Sequence, residues 1–136
     1  MNQDIQFGLA NENRVLPIIQ QHFNDETIKK IPEIYSKIDY MGENYVFELK
    51  TRRNRMNQYP TTMLPLHKIL KPEQLDNKTQ IFLFDFTDGL YYIKYNKELF
   101  DKFDVKIGGR YDRGRVEENN YIYIPISELC KINKEE

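Results

Sequence analysis

An α/β (α+β) sandwich built around a mixed β-sheet is the architecture the sequence predicts, and three observations predict it. Apolar residues recur at helical spacing near the N-terminus, two alternating segments follow around a tight turn, and a continuous apolar run in the second half has the length of one buried strand. From about Asp4 to Phe23, the residues Ile5, Leu9, Val15, Leu16, Ile18, Ile19 and Phe23 share one helical face. Pro17 falls inside that stretch, where it removes one hydrogen bond and crowds the preceding turn, so either the helix kinks there or a new helix begins near Arg14. Glu33 to Met41 and Asn44 to Arg52 read as two strands around a Gly42-Glu43 turn, with Tyr45, Phe47 and Leu49 alternating with Val46, Glu48 and Lys50.

Pro65 to Asn77 reads as a helix that Pro72 divides into two short pieces. Gln80 to Phe86 is apolar throughout and predicts a central, buried strand; Asp88-Gly89 then turns the chain into a hairpin partner, Leu90 to Tyr95. Lys97 to Phe103 predicts a short helix, Tyr121 to Ile126 a last strand, and Ser127 the cap of a terminal turn from Glu128 to Ile132. The predicted order is roughly α-β-β-α-β-β-α-β. No repeat, low-complexity tract or linker divides the chain, so residues 1–136 are expected to form a single domain.

The composition excludes several classes. Hydrophobic residues make up 40% of the chain and charged residues 30%, which is ordinary for a folded globular domain. No apolar run approaches the roughly 20 residues that cross a bilayer, and the N-terminus lacks the basic and apolar regions of a secretion signal. Cys130 is the single cysteine, so there is neither an internal disulfide framework nor a cysteine-built zinc site, and packing is its expected role. An intracellular, reducing location follows as the expectation: cytoplasm, or the host cell for a viral protein.

The net charge is −1, yet the charges are segregated. Between Glu48 and Lys71, the six basic residues Lys50, Arg52, Arg53, Arg55, Lys68 and Lys71 face one acid, Glu48. Lys106, Arg110, Arg113 and Arg115 form a second basic stretch around Asp112, while the excess acid lies in Glu12 to Glu33 and in the C-terminal tail. Such segregation suits a polyanionic partner, although two solvated loops would show the same pattern.

The chemistry concentrates on the first hairpin. With two or four residues in its loop, strand alternation puts Asp39 and Glu48 on one face, either directly opposite or diagonal, and Lys50 on that face too. Ile38, Tyr40, Phe47 and Leu49 then form an apolar opposite face suited to pack on a helix. Two converging carboxylates repel, and burial penalises both further. A divalent cation relieves that penalty, and oxygen ligands suit Mg²⁺ or Mn²⁺. An isolated Glu-x-Lys is more often a cross-strand salt bridge, and an isolated strand-end Asp a turn residue; the combination carries the signal.

These residues resemble the PD-(D/E)xK nuclease superfamily, which has the restriction-endonuclease-like fold shared by Holliday-junction resolvases. Asp39 matches the first acid of its pattern, Glu48-Leu49-Lys50 matches the (D/E)xK element, and Glu12 matches the acid of the preceding helix. Ile38 stands where the pattern has Pro. The resemblance covers roughly Phe7 to Phe86. It implies catalytic roles for Asp39, Glu48, Lys50 and Glu12. It further implies Mg²⁺, with Mn²⁺ able to substitute, held by Asp39, Glu48, the Leu49 backbone carbonyl and, through water, Glu12. The implied activity is Mg²⁺-dependent phosphodiester cleavage of DNA by an endonuclease of repair, recombination or branched-DNA processing. The alternative is a catalytically silent nucleic-acid-binding or interaction protein that keeps the fold. A homodimer is a further expectation, because branched DNA is symmetric. Glu12 with Val15-Leu16-Pro17, Glu48 to Arg52, Tyr59 to Met63 with Lys68, and Tyr121 to Pro125 also resemble small nuclease-like proteins of large DNA viruses and phages.

Around this site Arg52, Arg53 and Arg55 are expected on the phosphates flanking the scissile bond, with Lys68 continuing that rim beside Thr61 and Thr62. Gly108 to Arg115 reads as a flexible basic loop that brings Arg110, Arg113 and Arg115 to nucleic acid, or as an ordinary hairpin loop. His22 and His67 have no partners in the proposed chemistry, and Tyr91, Tyr92 and Tyr95 read as fillers of core and surface.

Overall fold

In the computed structural model, which describes residues 3–32, 38–110 and 117–132, a central strand organises everything else. That strand, β5 (Thr79–Phe86), has Ile81, Phe82, Leu83 and Phe84 fully buried in succession, so both of its faces are covered. Ile81 and Leu83 join Tyr40, Phe47 and the helix residues Val15 and Ile19 in one apolar cluster. Phe82, Phe84 and Phe86 join Leu64, Phe100, Ile122 and Ile124 in a second cluster on the other face. The result is three layers: helix α1 (Gln3–His22), a six-stranded sheet and a three-stranded sheet.

The larger sheet runs β1 (Lys29–Lys30), β2 (Tyr40–Met41), β3 (Tyr45–Thr51), β5, β6 (Gly89–Lys94) and β9 (Cys130–Ile132). Only β3 and β5 pair in parallel, with Glu48 beside Phe82 and Lys50 beside Phe84; every other pairing is antiparallel, which makes the sheet mixed. A parallel pair needs a crossover. Here it is made by β4 (Thr61–Pro65), a 3-10 turn (Leu66–Lys68) and the short helix α2 (Pro72–Leu75). Strand β4 pairs with β8 (Glu117–Pro125), and β8 with β7 (Asp104–Arg110), to make the smaller sheet; α3 (Lys97–Phe100) links β6 to β7.

The α/β fold class and its mixed sheet are as predicted, with four strands added to the predicted order. Strands β1, β4, β7 and β9 carry too little local signal. Lys29-Lys30 has no apolar alternation, Thr61 to Pro65 is bracketed by prolines, and Gly108-Gly109 in β7 reads as loop. The terminal turn from Glu128 to Ile132 is not formed. Pro125, not Ser127, precedes a 3-10 turn (Ile126–Glu128) without a side-chain cap, and Ile132 pairs with Leu90 in β9. Cys130 is exposed on that edge strand rather than packed.

Helix α1 runs through Pro17 without a second start. Asn13, whose carbonyl loses the donor that proline lacks, and Pro17 itself are both exposed, so water can take the vacant hydrogen bond. The hairpin turn sits one residue later than predicted. Tyr40 pairs with Phe47 and Met41 with Val46, and the Gly42 N–H donates to the Tyr45 carbonyl at 2.9 Å, leaving Glu43-Asn44 at the tip. Gly42 lies where an added Cβ would come within 2.9 Å of Ile28 Cγ1, so glycine lets this turn press against the Asp25–Ile28 segment. Residues 33–37 of the predicted strand Glu33 to Met41, and residues 111–116 of the basic loop, lie outside the described residues. No helix among the described residues is long and apolar enough to cross a membrane.

Candidate active site

The two-residue turn sets the hairpin register. Tyr40 faces Phe47, and Asp39, one residue before β2, donates its N–H to the Phe47 carbonyl at 2.9 Å, close enough to Glu48 for the two charges to act on each other. The Asp39 carbonyl in turn accepts from the Ile31 N–H at 2.9 Å, so the backbone at Asp39 is held from both neighbouring segments. Its side chain is fixed as well, with Oδ2 accepting from the Leu49 N–H at 2.7 Å. In strand β3 the Phe47 carbonyl points towards β2, and alternation aims the Leu49 carbonyl at that same edge. A carboxylate and a backbone carbonyl thus share one edge, beside Glu48.

Burial and like charge load this point. The Asp39 carboxyl is pushed up to about 7, by burial first and by the Glu48 charge next, with Glu12 adding to the rise; the Leu49 N–H and Lys50 oppose it. Glu48 is only 5% exposed and is compensated by two cations, Lys50 Nζ at 3.3 Å and Lys68 Nζ at 3.2 Å, both on Oε1. Glu12 lies across from Asp39 on α1, where it pairs with Lys30 at 3.2 Å. The Tyr40 hydroxyl donates to the Glu12 backbone carbonyl at 2.6 Å, tying the helix to β2. Burial pushes that hydroxyl's pKa up, and the charges of Glu12 and Asp39 push it the same way.

This donor set fits a divalent cation. A buried carboxyl raised by an adjacent acid is relieved by a positive ion, and the donors are hard oxygens. Among the described residues no three His, Cys, Asp or Glu side chains gather where they could together hold a metal ion, so the two carboxylates would act with the backbone.

The basic residues divide. Lys50 and Lys68 converge on Glu48. Arg52 turns inward instead: its guanidinium donates to Thr62 Oγ1 at 3.3 Å and to the Met63 carbonyl, and lies over the Phe84 ring at 5.7 Å. Arg53 is exposed, as is Arg55, whose guanidinium lies 3.9 Å from Asp88. Arg110 ends β7, while Arg113 and Arg115 lie outside the described residues. Arg52→Ala is therefore expected to lower stability by about 1–2 kcal/mol, because it strips a charged donor from buried Thr62 as well as from the exposed Met63 carbonyl. Arg53→Ala is expected to leave stability within about 0.5 kcal/mol and to weaken DNA binding in a salt-dependent way. Thermal melts beside binding isotherms at two salt concentrations separate the two classes.

Three features have no local signal in the sequence. Lys30 reaches Glu12 from β1, Lys68 reaches Glu48 across the interface between the sheets, and buried Gln80 holds the backbone on both sides of Ile69. Separately, a cavity of about 750 Å³ opens at the carboxyl ends of β3 and β5, lined by Asn11, Arg14, Thr51 and Asp85 among others. Neither Asp39 nor Glu48 lines it; Arg14 bridges its floor from Asn11 to Asp85, at 2.7 and 2.6 Å.

No curated protein and no solved structure gives a significant match to the chain. One family model does, over residues 6–132, a span that takes in Glu12, the Asp39–Glu48 hairpin and both sheets. The chain belongs to that PD-(D/E)xK nuclease family, described as "Phage putative PDDEXK endonuclease".

Proposed function

We propose that this protein is a Mg²⁺-dependent endonuclease that hydrolyses phosphodiester bonds in DNA, with Mn²⁺ able to substitute. The observation that carries the reading is Asp39 held on the Leu49 N–H beside the charge of Glu48, with Lys50 ion-paired to Glu48 at 3.3 Å. Asp39, Glu48 and the Leu49 carbonyl would hold the ion, and Glu12 would reach it through water. A bound Mg²⁺ supplies polarisation of a phosphoryl oxygen and a more acidic water.

The protein's own groups supply the rest. The Leu49 N–H orients the Asp39 carboxylate before any ligand arrives. The Lys50 ammonium, at 3.3 Å from Glu48, stands ready to stabilise negative charge as it develops on the phosphate. Exposed Arg53, Arg55 and Lys106 fit a role in sequence-independent contact with flanking phosphates. Arg110, Arg113 and Arg115 would extend that contact. A complete acid–acid–lysine set argues against a protein that only binds. A branched substrate would suit a homodimer, which molar mass in solution reads directly. Membership of a phage family fits action inside an infected host cell.

The test is cleavage of duplex, nicked, branched and single-stranded DNA, with RNA alongside, in Mg²⁺, Mn²⁺ or chelator. Cutting is expected only with metal, and Asp39→Ala and Lys50→Ala are each expected to lower the rate about 100-fold or more. Equal cutting in chelator, or by both variants, overturns the reading.

A further inference from the structure

We propose that Lys68 is a second active-site lysine, delivered to Glu48 from the crossover between the sheets and positioned there by Gln80. This rests on the nuclease reading of the Asp39–Glu48 site and goes beyond it. Lys68 closes the 3-10 turn after β4, on a different element from the strand that carries Glu48 and Lys50. Its Nζ nevertheless lies 3.2 Å from Glu48 Oε1, the same oxygen that Lys50 approaches at 3.3 Å. The Glu48 side chain is 7% exposed and the Lys68 side chain 23%, so this pair is not a loose surface contact.

Gln80 explains how a turn reaches so far with a defined geometry. It lies on β5 two residues before Phe82, the neighbour of Glu48, and so on the Glu48 face of the sheet. A glutamine 4% exposed is costly unless its amide is satisfied at both ends. Here Nε2 donates to the Lys68 carbonyl at 2.9 Å, and Oε1 accepts from the Leu70 N–H at 2.9 Å. Both ends of the amide are committed to the backbone that carries Lys68. Leu70, buried, and Ile69, packed on the second core, hold that segment from the apolar side.

The arrangement has a consequence for the loaded site. An ion held at Glu48 would compete with the two ammoniums for that carboxylate, whose Oε1 they share, and would loosen their hold on it. Lys68, arriving from the side opposite β2, is then a free donor beside the position of a bound phosphate, where negative charge accumulates. Lys68 therefore opposes metal binding in the empty site and assists phosphate in the loaded one.

The experiment compares wild type with Lys68→Ala, Lys68→Arg, Gln80→Glu and the double variant Lys68→Ala/Gln80→Glu. Mn²⁺ affinity is read by calorimetry without DNA, and cleavage by single-turnover rates. Lys68→Ala is expected to bind Mn²⁺ about 3–10-fold more tightly, because an ammonium no longer competes for Glu48, yet to cut roughly 100-fold more slowly. Lys68→Arg restores part of the rate. Gln80→Glu cannot donate to the Lys68 carbonyl and is expected to cut roughly 10-fold more slowly, with no further loss in the Lys68→Ala background. A general folding defect would weaken metal binding and add to the Lys68→Ala loss; either result overturns the assignment. So does a Lys68→Ala protein that matches wild type in affinity and rate. A wild type that binds Mn²⁺ without cutting overturns the nuclease reading instead, and the affinity comparison still decides whether Lys68 acts on Glu48.

Discussion

Glu48→Gln is expected to reduce metal-dependent cleavage by about 10³-fold or more and, in the same protein, to lower stability. The rate loss follows from withdrawing a proposed metal ligand. The ion's stabilisation of transition-state charge is worth several kcal/mol, and each 1.4 kcal/mol or so is tenfold. The stability loss has a different origin. Lys50 and Lys68 both depend on Glu48 Oε1, at 3.3 and 3.2 Å, and neither is fully in solvent. A neutral amide leaves two half-buried ammoniums without their counter-charge. The cost is about 1–2 kcal/mol after allowing for the relief that Asp39 gains from losing an acidic neighbour. Chemical denaturation in chelator measures the stability change, and single-turnover cleavage of the best DNA substrate the rate. A protein that cuts within tenfold of wild type removes Glu48 from the mechanism.

Asp39→Asn is expected to abolish metal binding as well, but to raise the stability of the metal-free protein. The opposite sign comes from the surroundings. Glu48 has two cations against it, whereas Asp39 has burial and the charges of Glu48 and Glu12 raising its pKa to about 7, opposed only by the Leu49 N–H and Lys50. Because that value lies above the ordinary aspartate value of 3.8, the folded state holds its proton more tightly than the unfolded chain does. Asp39 therefore favours folding most below about pH 4, and that contribution is lost as pH rises through the folded value near 7. Asparagine does not titrate and can still accept from the Leu49 N–H. The stability advantage of Asp39→Asn should thus be small near pH 4, grow up to about pH 7 and level off above it. Melts in chelator across pH 4–9 test this. Adding Mn²⁺ at pH 8 should stabilise wild type by mass action and leave the variant unchanged. An advantage that is flat with pH would show that Asp39 does not carry this proton linkage.

The opposite signs at two adjacent acids show where sequence reading stops. That Asp39, Glu48 and Lys50 share a face follows from strand alternation, a property of a dozen neighbouring residues, and it is legible as soon as the hairpin is recognised. The exact turn is less legible. Placing Glu43-Asn44 at the tip sets Tyr40 opposite Phe47 and brings Asp39 beside the end of that pairing, and that choice is reinforced by Gly42 closing against Ile28, which belongs to another segment. The central strand Gln80 to Phe86 is legible for a similar reason, since a run buried on both faces needs no alternation to reveal it. Strands β1, β4 and β9 are short and partly polar, and they become strands because a neighbour offers an edge to pair with.

Arg52 and Lys68 make the same point within the basic stretch. Both read as phosphate contacts; Arg52 also ties β4 to β3 and Lys68 lies on Glu48, contacts that the crossover makes and that spacing does not reveal. By itself, then, the sequence determines the mixed α/β class, the central strand and the pairing of two acids with a lysine on one strand face, all products of local periodicity. Only the tertiary structure decides which cations compensate which acid, which arginine turns inward, and how strongly burial raises Asp39. Those depend on contacts between residues far apart in the chain and on the exclusion of water between packed layers.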